Sequence, residues 1–188
     1  MTPPLIKHCE DHLGPISFGW STDAAGARLP FQVALFERSP LPGVRVLCTL
    51  GLSNLPLRIG QGGRRLRQEL VAMFRETDGP GSLPGVLQQL GTEALGIDTA
   101  YAPGDVIGPR GELRAGATVS AIYTALPVYL PDSFHVCRST PEPVVFAWMV
   151  PITDAEADFV RARGRDAFEG ALESVDPDLL NTSRESIV

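Results

Sequence analysis

The chain has 188 residues, of which 44% are hydrophobic and 20% are charged. This is ordinary globular composition with enough apolar content for a core, so an intrinsically disordered chain is not expected. The formal net charge of −6 argues against nucleic acid as a direct ligand, because binding a phosphate backbone needs a basic surface. The 17 prolines and 19 glycines favour frequent loops over a helical bundle.

The chain shows no sign of export or of a membrane partner. Residues 1–11 lack the basic flank and apolar run of a signal peptide, and the longest apolar stretch, 144–150, is far too short for a bilayer span. The three cysteines are Cys9, Cys48 and Cys137, and an odd number fits reduced thiols better than a disulfide framework. We therefore expect a cytoplasmic protein.

The N-terminal half begins with a short helix and continues into a hairpin. Residues 5–13 fit a helix that Gly14 and Pro15 stop. Residues 31–37 and 44–50 are β-compatible runs joined by a turn rich in proline and glycine, which predicts an antiparallel pair.

The segment around residues 67–74 fits two structures. Its apolar residues have helical spacing, but a helix here would place arginines in its first turn, where the macrodipole disfavours positive charge. A strand is the alternative.

Further along the chain, residues 83–95 have a 3.6-residue apolar period, which predicts a helix capped by Ser82 and ended by Gly96. Three later runs are rich in β-branched and aromatic residues and predict strands, at residues 106–107, 118–126 and 144–150.

A helix start follows the last of these strands. Pro151 removes a ladder donor and is expected to end the strand. Thr153 and Glu156 have the T-x-x-E spacing of a capping box, which predicts one helix over residues 154–174. The fold class is therefore α+β: a single domain over residues 1–188 with a largely antiparallel, mixed sheet flanked by helices. Residues 1–4 and 181–188 are expected to be tails.

Six short segments in order resemble the bacterial members of the Suppressor of fused-like family. They are His8 with Gly14-Pro15, TLGLS at 49–53, ELV at 69–71, PGDVI at 103–107, LPVYLP at 126–131 and VPIT at 150–153. One departure is Asp105, which stands where many relatives have histidine.

The resemblance implies a strand at 67–74 paired with the strand that contains the TLGLS run, so we predict a strand there. It also implies a protein-binding function. Animal members of the family look like a scaffold that sequesters a transcription factor, and the bacterial members resemble immunity proteins that block secreted polymorphic toxins. We accordingly expect a toxin domain as partner. The sequence leaves the oligomeric state open.

Metal or small-molecule binding is the main alternative. His8 and His12 would share a helix face, and His135 and Cys137 a strand face, so these four side chains would form a zinc site if the two clusters met. Their spacing matches no known zinc pattern, and we expect surface histidines and a buried thiol instead. We predict no bound metal and no cofactor.

A hydrolase is the third possibility, and we predict no catalytic residue. The chain has no G-x-S-x-G elbow, and Ser53, Ser120 and Ser133 have no base assigned by spacing. A Cys48 thiol inside a strand would have a raised pKa and be inert. The glycine-rich run at 60–65 lacks the residues of a phosphate loop and is better explained as a hairpin tip.

The sequence gives less information about the residues that would contact a partner than about the fold. Exposed aromatic side chains anchor interfaces. Tyr129 and Phe134 are the candidates, although the sequence does not separate exposed from buried aromatics.

Overall fold

The structure is a computed structural model that describes residues 2–60, 63–109 and 116–188. The chain divides into two compact units. The first comprises Met1–Tyr101 and Leu126–Trp148, and the second comprises Ala102–Ala125 and Met149–Val188. No helix in the described ranges is long and apolar enough to cross a membrane.

The described residues form four α-helices and nine strands, which confirms the α+β class. The helices are α1 (Pro4–Leu13), α2 (Leu83–Ile97), α3 (Asp154–Arg163) and α4 (Arg165–Val175). The strands are β1 (Ile16–Thr22), β2 (Arg28–Phe36), β3 (Val44–Leu50), β4 (Leu57–Ile59), β5 (Arg64–Arg75), β6 (Val106–Ile107), β7 (Val119–Ala125), β8 (Val136–Cys137) and β9 (Val144–Thr153).

The first unit contains a mixed, mostly antiparallel sheet in the order β1-β2-β3-β5-β9, with β4 on β5 and β8 on β9. The β5–β9 pair is parallel, and the other pairs are antiparallel. Cys48 of β3 lies opposite Val71 of β5, so the predicted strand at 67–74 and its pairing are confirmed. Residues 68–74 are buried at every position, as expected of a strand covered on both faces.

Helix α2 packs on β2, β3 and β5. The close approach depends on Gly91, because an added Cβ there would lie 2.4 Å from Cζ of Phe31. The predicted Ser82 cap is wrong: the residue has helical dihedral angles and its side chain makes no capping hydrogen bond. The helix also continues past Gly96 to Ile97 and ends at Asp98, which has a left-handed φ of 52°.

The second unit contains the end of β9, strands β7 and β6, and helices α3 and α4, with β7 lying between β9 and β6. Strand β9 runs through Pro151 to Thr153, so the predicted end at Pro151 is wrong. A proline removes only its own N–H, and the backbone stays extended up to Thr153, at φ −76° and ψ 164°.

The capping box at the start of α3 is confirmed: the side chains of Thr153 and Glu156 each accept a hydrogen bond from the other residue's N–H. The single long helix after it is wrong, because Gly164 has a φ of 84° and separates α3 from α4.

Three strands, β1, β4 and β8, have no counterpart in the sequence predictions. The glycine-rich run at 60–65, which was predicted to be a hairpin tip, lies partly outside the described residues.

Candidate functional site

Helix α1 brings His8 and His12 together, one turn apart with ring centroids 4.8 Å from each other. The Nε2–H of His8 donates to the carbonyl oxygen of Phe134 at 3.1 Å. Nδ1 of His12 donates to the carbonyl oxygen of His8 at 2.8 Å, and its Nε2 forms a hydrogen bond with the Ser133 hydroxyl at 2.9 Å.

The His8 ring is stacked between two phenylalanines. Its centroid lies 5.7 Å from Phe134 and 5.4 Å from Phe146, with the ring planes within 23° of parallel. Burial lowers the pKa of His8 and His12 adds to the shift, although the hydrogen bond to the Phe134 carbonyl group opposes it. Burial therefore favours a neutral imidazole, which packs α1 against residues 132–135.

The second histidine–cysteine cluster forms other contacts. Nε2 of His135 lies 3.1 Å from the carbonyl oxygen of Pro127 and 3.2 Å from that of Leu130. Cys137 is buried, with its sulfur 3.3 Å from the Ser139 hydroxyl. Within the described part of the chain, no group of three or more His, Cys, Asp or Glu side chains is placed to hold a metal ion.

The structure separates the two aromatic candidates for partner contact. Phe134 is fully buried against His8, His12 and Phe146, so it is not available to a partner in this conformation. Tyr129 is half-buried, with its ring 4.8 Å from that of Trp148.

Tyr129 belongs to a short apolar loop, residues 126–131, that His135 holds by the two carbonyl groups described above. Leu126 and Val128 on this loop are 48% and 64% exposed. The loop therefore presents apolar side chains to solvent in a fixed conformation.

Two of the motifs that carried the resemblance meet at a buried carboxylate. Glu69 of the ELV run is fully buried and accepts hydrogen bonds from three residues of the TLGLS run. The hydroxyls of Thr49 and Ser53 donate at 2.6 Å, and the amides of Gly51 and Ser53 donate at 3.0 and 3.1 Å. The spacing of the motifs is thus explained by one polar cluster.

Burial raises the pKa of Glu69 to about 7, although the hydrogen bonds from Ser53, Thr49 and Gly51 oppose the shift. The side chain has no exposed surface, so no substrate reaches it. Burial also raises the pKa of the Cys48 thiol well above its ordinary value, as predicted, and the adjacent Cys9 and Glu69 add to the shift.

The second unit has its own buried carboxylate, Glu156. The Arg184 guanidinium forms a two-pronged ion pair with it, one contact measuring 2.7 Å, and the amides of Thr153 and Ile187 donate at 2.9 and 3.2 Å. Burial favours a higher pKa, but Arg184 and the amides outweigh it and lower the pKa of Glu156.

The segment 181–188, expected to be a tail, is therefore held in place. Besides the Glu156 contacts, the amide of Thr118 donates to the carbonyl oxygen of Thr182 at 3.0 Å, and its hydroxyl donates to that of Arg184 at 2.6 Å. Arg184 is 7% exposed.

The first unit also contains an open depression of about 600 Å³. Leu35, Phe74 and Pro80 line it together with Arg45 and Glu76, which form an ion pair. This depression could not be predicted from the sequence, because its lining comes from several strands.

The comparison with protein families finds a match over most of the chain. The sequence profile described as Suppressor of fused protein (SUFU) matches residues 28–185. No curated protein sequence matches the chain.

Solved structures share the fold at low sequence identity. A SUFU homologue from Neisseria gonorrhoeae FA 1090 has a TM-score of 0.77 at 17% identity, over 98% of this chain and 95% of that one. A chain of the Sufu–Fu complex has a TM-score of 0.73 at 17% identity, over 99% and 93%. Drosophila Suppressor of Fused has a TM-score of 0.64 at 16% identity; the match covers 84% of this chain and 43% of the longer Drosophila chain.

Proposed function

Because this chain belongs to the Suppressor of fused family, we propose that it binds a protein partner and carries out no chemistry. The observation that carries the proposal is the similarity to the Sufu–Fu complex, where a chain of this fold and nearly this length is found with a protein partner. The interior supports it, because the buried carboxylates Glu69 and Glu156 are occupied by internal hydrogen bonds.

The finer proposal is that the protein is an immunity protein, which neutralises a polymorphic toxin by stoichiometric binding in the cytoplasm. The ordered motifs shared with bacterial members support it. The net charge of −6 would speed capture of a basic toxin domain, and added salt would weaken that contribution.

The test is co-expression with the toxin module encoded beside this gene, with an unrelated toxin module as control. We expect this protein to rescue growth only from the neighbouring toxin and to elute with it on gel filtration. Equal killing with and without the protein, and no complex, would exclude the immunity role for that pair. A complex without rescue would leave protein binding and reject neutralisation.

Hydrolysis is favoured by one observation, the Ser133–His12 hydrogen bond of 2.9 Å. The imidazole is oriented by the main-chain carbonyl group of His8 rather than by a carboxylate, and a carbonyl stabilises an imidazolium less well. We expect a fluorophosphonate probe to leave the protein unlabelled. Labelling that Ser133→Ala abolishes would establish a reactive serine and move the function to hydrolysis.

A further inference from the structure

Strand β1 stands at one end of the strand order that the described residues form. On one edge it pairs with β2, with Phe18 opposite Leu35 and Trp20 opposite Val33. In the ranges that the structure describes, no strand pairs with its other edge. An unpaired edge presents backbone N–H and C=O groups that an extended chain can bind.

The side chains of β1 do not protect this edge. Natural proteins block free edges with charged residues or proline, but Ile16–Thr22 contains neither. Phe18 is 56% exposed, and its ring meets that of Trp20 edge to face at 4.7 Å. Because the two residues are two positions apart, both rings lie on the same face of the strand.

The regular part of the edge is short. The register with β2 is irregular before Phe18 and after Trp20. At the far end, Nε2 of Gln88 donates to the carbonyl oxygen of Thr22 at 2.8 Å. The available edge is therefore centred on residues 18–20.

We propose that this edge of β1 is a docking site for an extended, uncharged segment of a protein partner, which adds as a further strand beside residues 18–20. Main-chain hydrogen bonds would supply affinity, and apolar side chains of the segment would pack on Phe18 and Trp20. The inference rests on the proposed protein-binding function and identifies the β1 edge as the surface that binds the partner.

The depression in the first unit extends this surface. Ser17 of β1 and Leu35 of β2 line it, so a segment that leaves the edge at Ser17 continues over Phe74 and Pro80. The added apolar contact matters because each main-chain hydrogen bond contributes only about 0.5–1.5 kcal/mol net in water, and the regular edge is short.

A second copy of this chain fits the edge less well than a partner segment does. Even if all seven residues of β1 paired, at about 3.3 Å each they would make a strip only about 23 Å long. If the strip is as deep as the spacing between packed sheets, about 10 Å, self-pairing would cover on the order of 230 Å², against about 800 Å² per partner in a standard interface. Two chains of charge −6 would also repel each other.

The experiment uses the full-length protein and a phage-displayed library of random 12-residue peptides. Peptides selected on the unmodified protein are synthesised. Their affinities are then measured for three proteins: the unmodified protein, the Phe18→Lys variant and the Leu55→Lys variant. Leu55 is the matched control, since it is 58% exposed and lies outside β1. Melting temperatures verify that both variants are folded.

We expect selected peptides to carry alternating apolar residues and to slow hydrogen–deuterium exchange over residues 16–22. Phe18→Lys should lower the affinity for the selected peptides at least tenfold, and Leu55→Lys should lower it less than twofold. Failure to select any binder would overturn the proposal, as would equal binding to Phe18→Lys or protection outside β1. A dimer in sedimentation analysis that Phe18→Lys dissociates would assign the edge to a second copy instead.

The two proposals fail in different ways. If the neighbouring toxin module binds the unmodified protein and Phe18→Lys equally, the edge is excluded and protein binding stands. If selected peptides occupy β1 but the toxin module does not bind, the docking site stands and the immunity role fails for that pair.

Discussion

Glu69 in the first unit and Glu156 in the second are both fully buried, and each accepts four hydrogen bonds, yet their pKa values shift in opposite directions. Two hydroxyls and two amides surround Glu69, and its pKa rises to about 7. Glu156 has the Arg184 guanidinium, and its pKa falls below the ordinary value.

The difference shows how well neutral hydrogen-bond donors and a guanidinium cation each replace the hydration that a buried carboxylate loses. Neutral donors satisfy the lone pairs of a carboxylate but leave its net charge buried, so protonation stays favourable near neutral pH. A guanidinium that binds both oxygens cancels the charge as well. The first unit is therefore destabilised as rising pH ionises Glu69. The second unit is destabilised when either partner of the Glu156–Arg184 ion pair is removed.

The largest expected effect comes from breaking that ion pair. Arg184→Met leaves the Glu156 carboxylate buried without a cation, which should lower the free energy of unfolding by about 3–5 kcal/mol. Urea denaturation measures the loss. The double variant Glu156→Gln with Arg184→Met removes the charge but keeps a capping side chain, so it should be more stable than the single variant.

Arg163→Met is the control for loss of an arginine. Arg163 is exposed at the end of α3, so this change should stay within about 0.5 kcal/mol. If Arg184→Met cost no more than this control, the ion pair would not hold residues 181–188 in place.

The second effect is a pH dependence from Glu69. Its pKa is about 7 in the folded protein, against an ordinary value of 4.5. Between these values the folded state binds more protons than the unfolded state, so stability falls as pH rises through this window. The loss should be on the order of 3 kcal/mol and should disappear in Glu69→Gln.

Urea denaturation from pH 4.5 to 8 measures both proteins. The lowered pKa of Glu156 acts in the opposite sense: its contribution is present above the unfolded pKa and is lost as pH falls through the folded pKa. The two carboxylates therefore affect different pH ranges. Parallel curves for the unmodified protein and Glu69→Gln would show that Glu69 does not titrate in this window.

The contacts around Glu69 and Glu156 also differ in how much of each could be predicted from the sequence. The capping box joins residues three positions apart, so its spacing alone predicted it. Arg184 lies 28 positions from Glu156, and no periodicity connects them. The resemblance gave the TLGLS and ELV segments separately and predicted that their strands pair, but the Glu69 contacts follow only from the three-dimensional register.

The strands, too, could be predicted only in part from the sequence. The β-branched and apolar runs of β3, β7 and β9 predicted strands because a buried strand has a composition of its own. The spacing within β5 also fits a helix, and the strand there was predicted from the family resemblance. Strand β1 was missed, because its serines, threonine and glycine resemble a loop and its partner-facing edge leaves no pattern. The candidate docking site is therefore the part that the sequence did not indicate.

The smallest expected effect compares two helices, α2 and α3, that both have a hydroxyl residue at the N-cap position but differ in whether its side chain caps the helix. Thr153 accepts a hydrogen bond from the amide of Glu156 at 3.2 Å, whereas the Ser82 side chain makes no capping bond. Thr153→Ala should lower the free energy of unfolding by about 0.5–2 kcal/mol, because it leaves a helix N–H without its acceptor. Ser82→Ala should change it by less than about 0.5 kcal/mol. Urea denaturation of the two variants at one pH makes the comparison, and equal losses would show that the Thr153 side chain adds nothing to the Glu156 cluster.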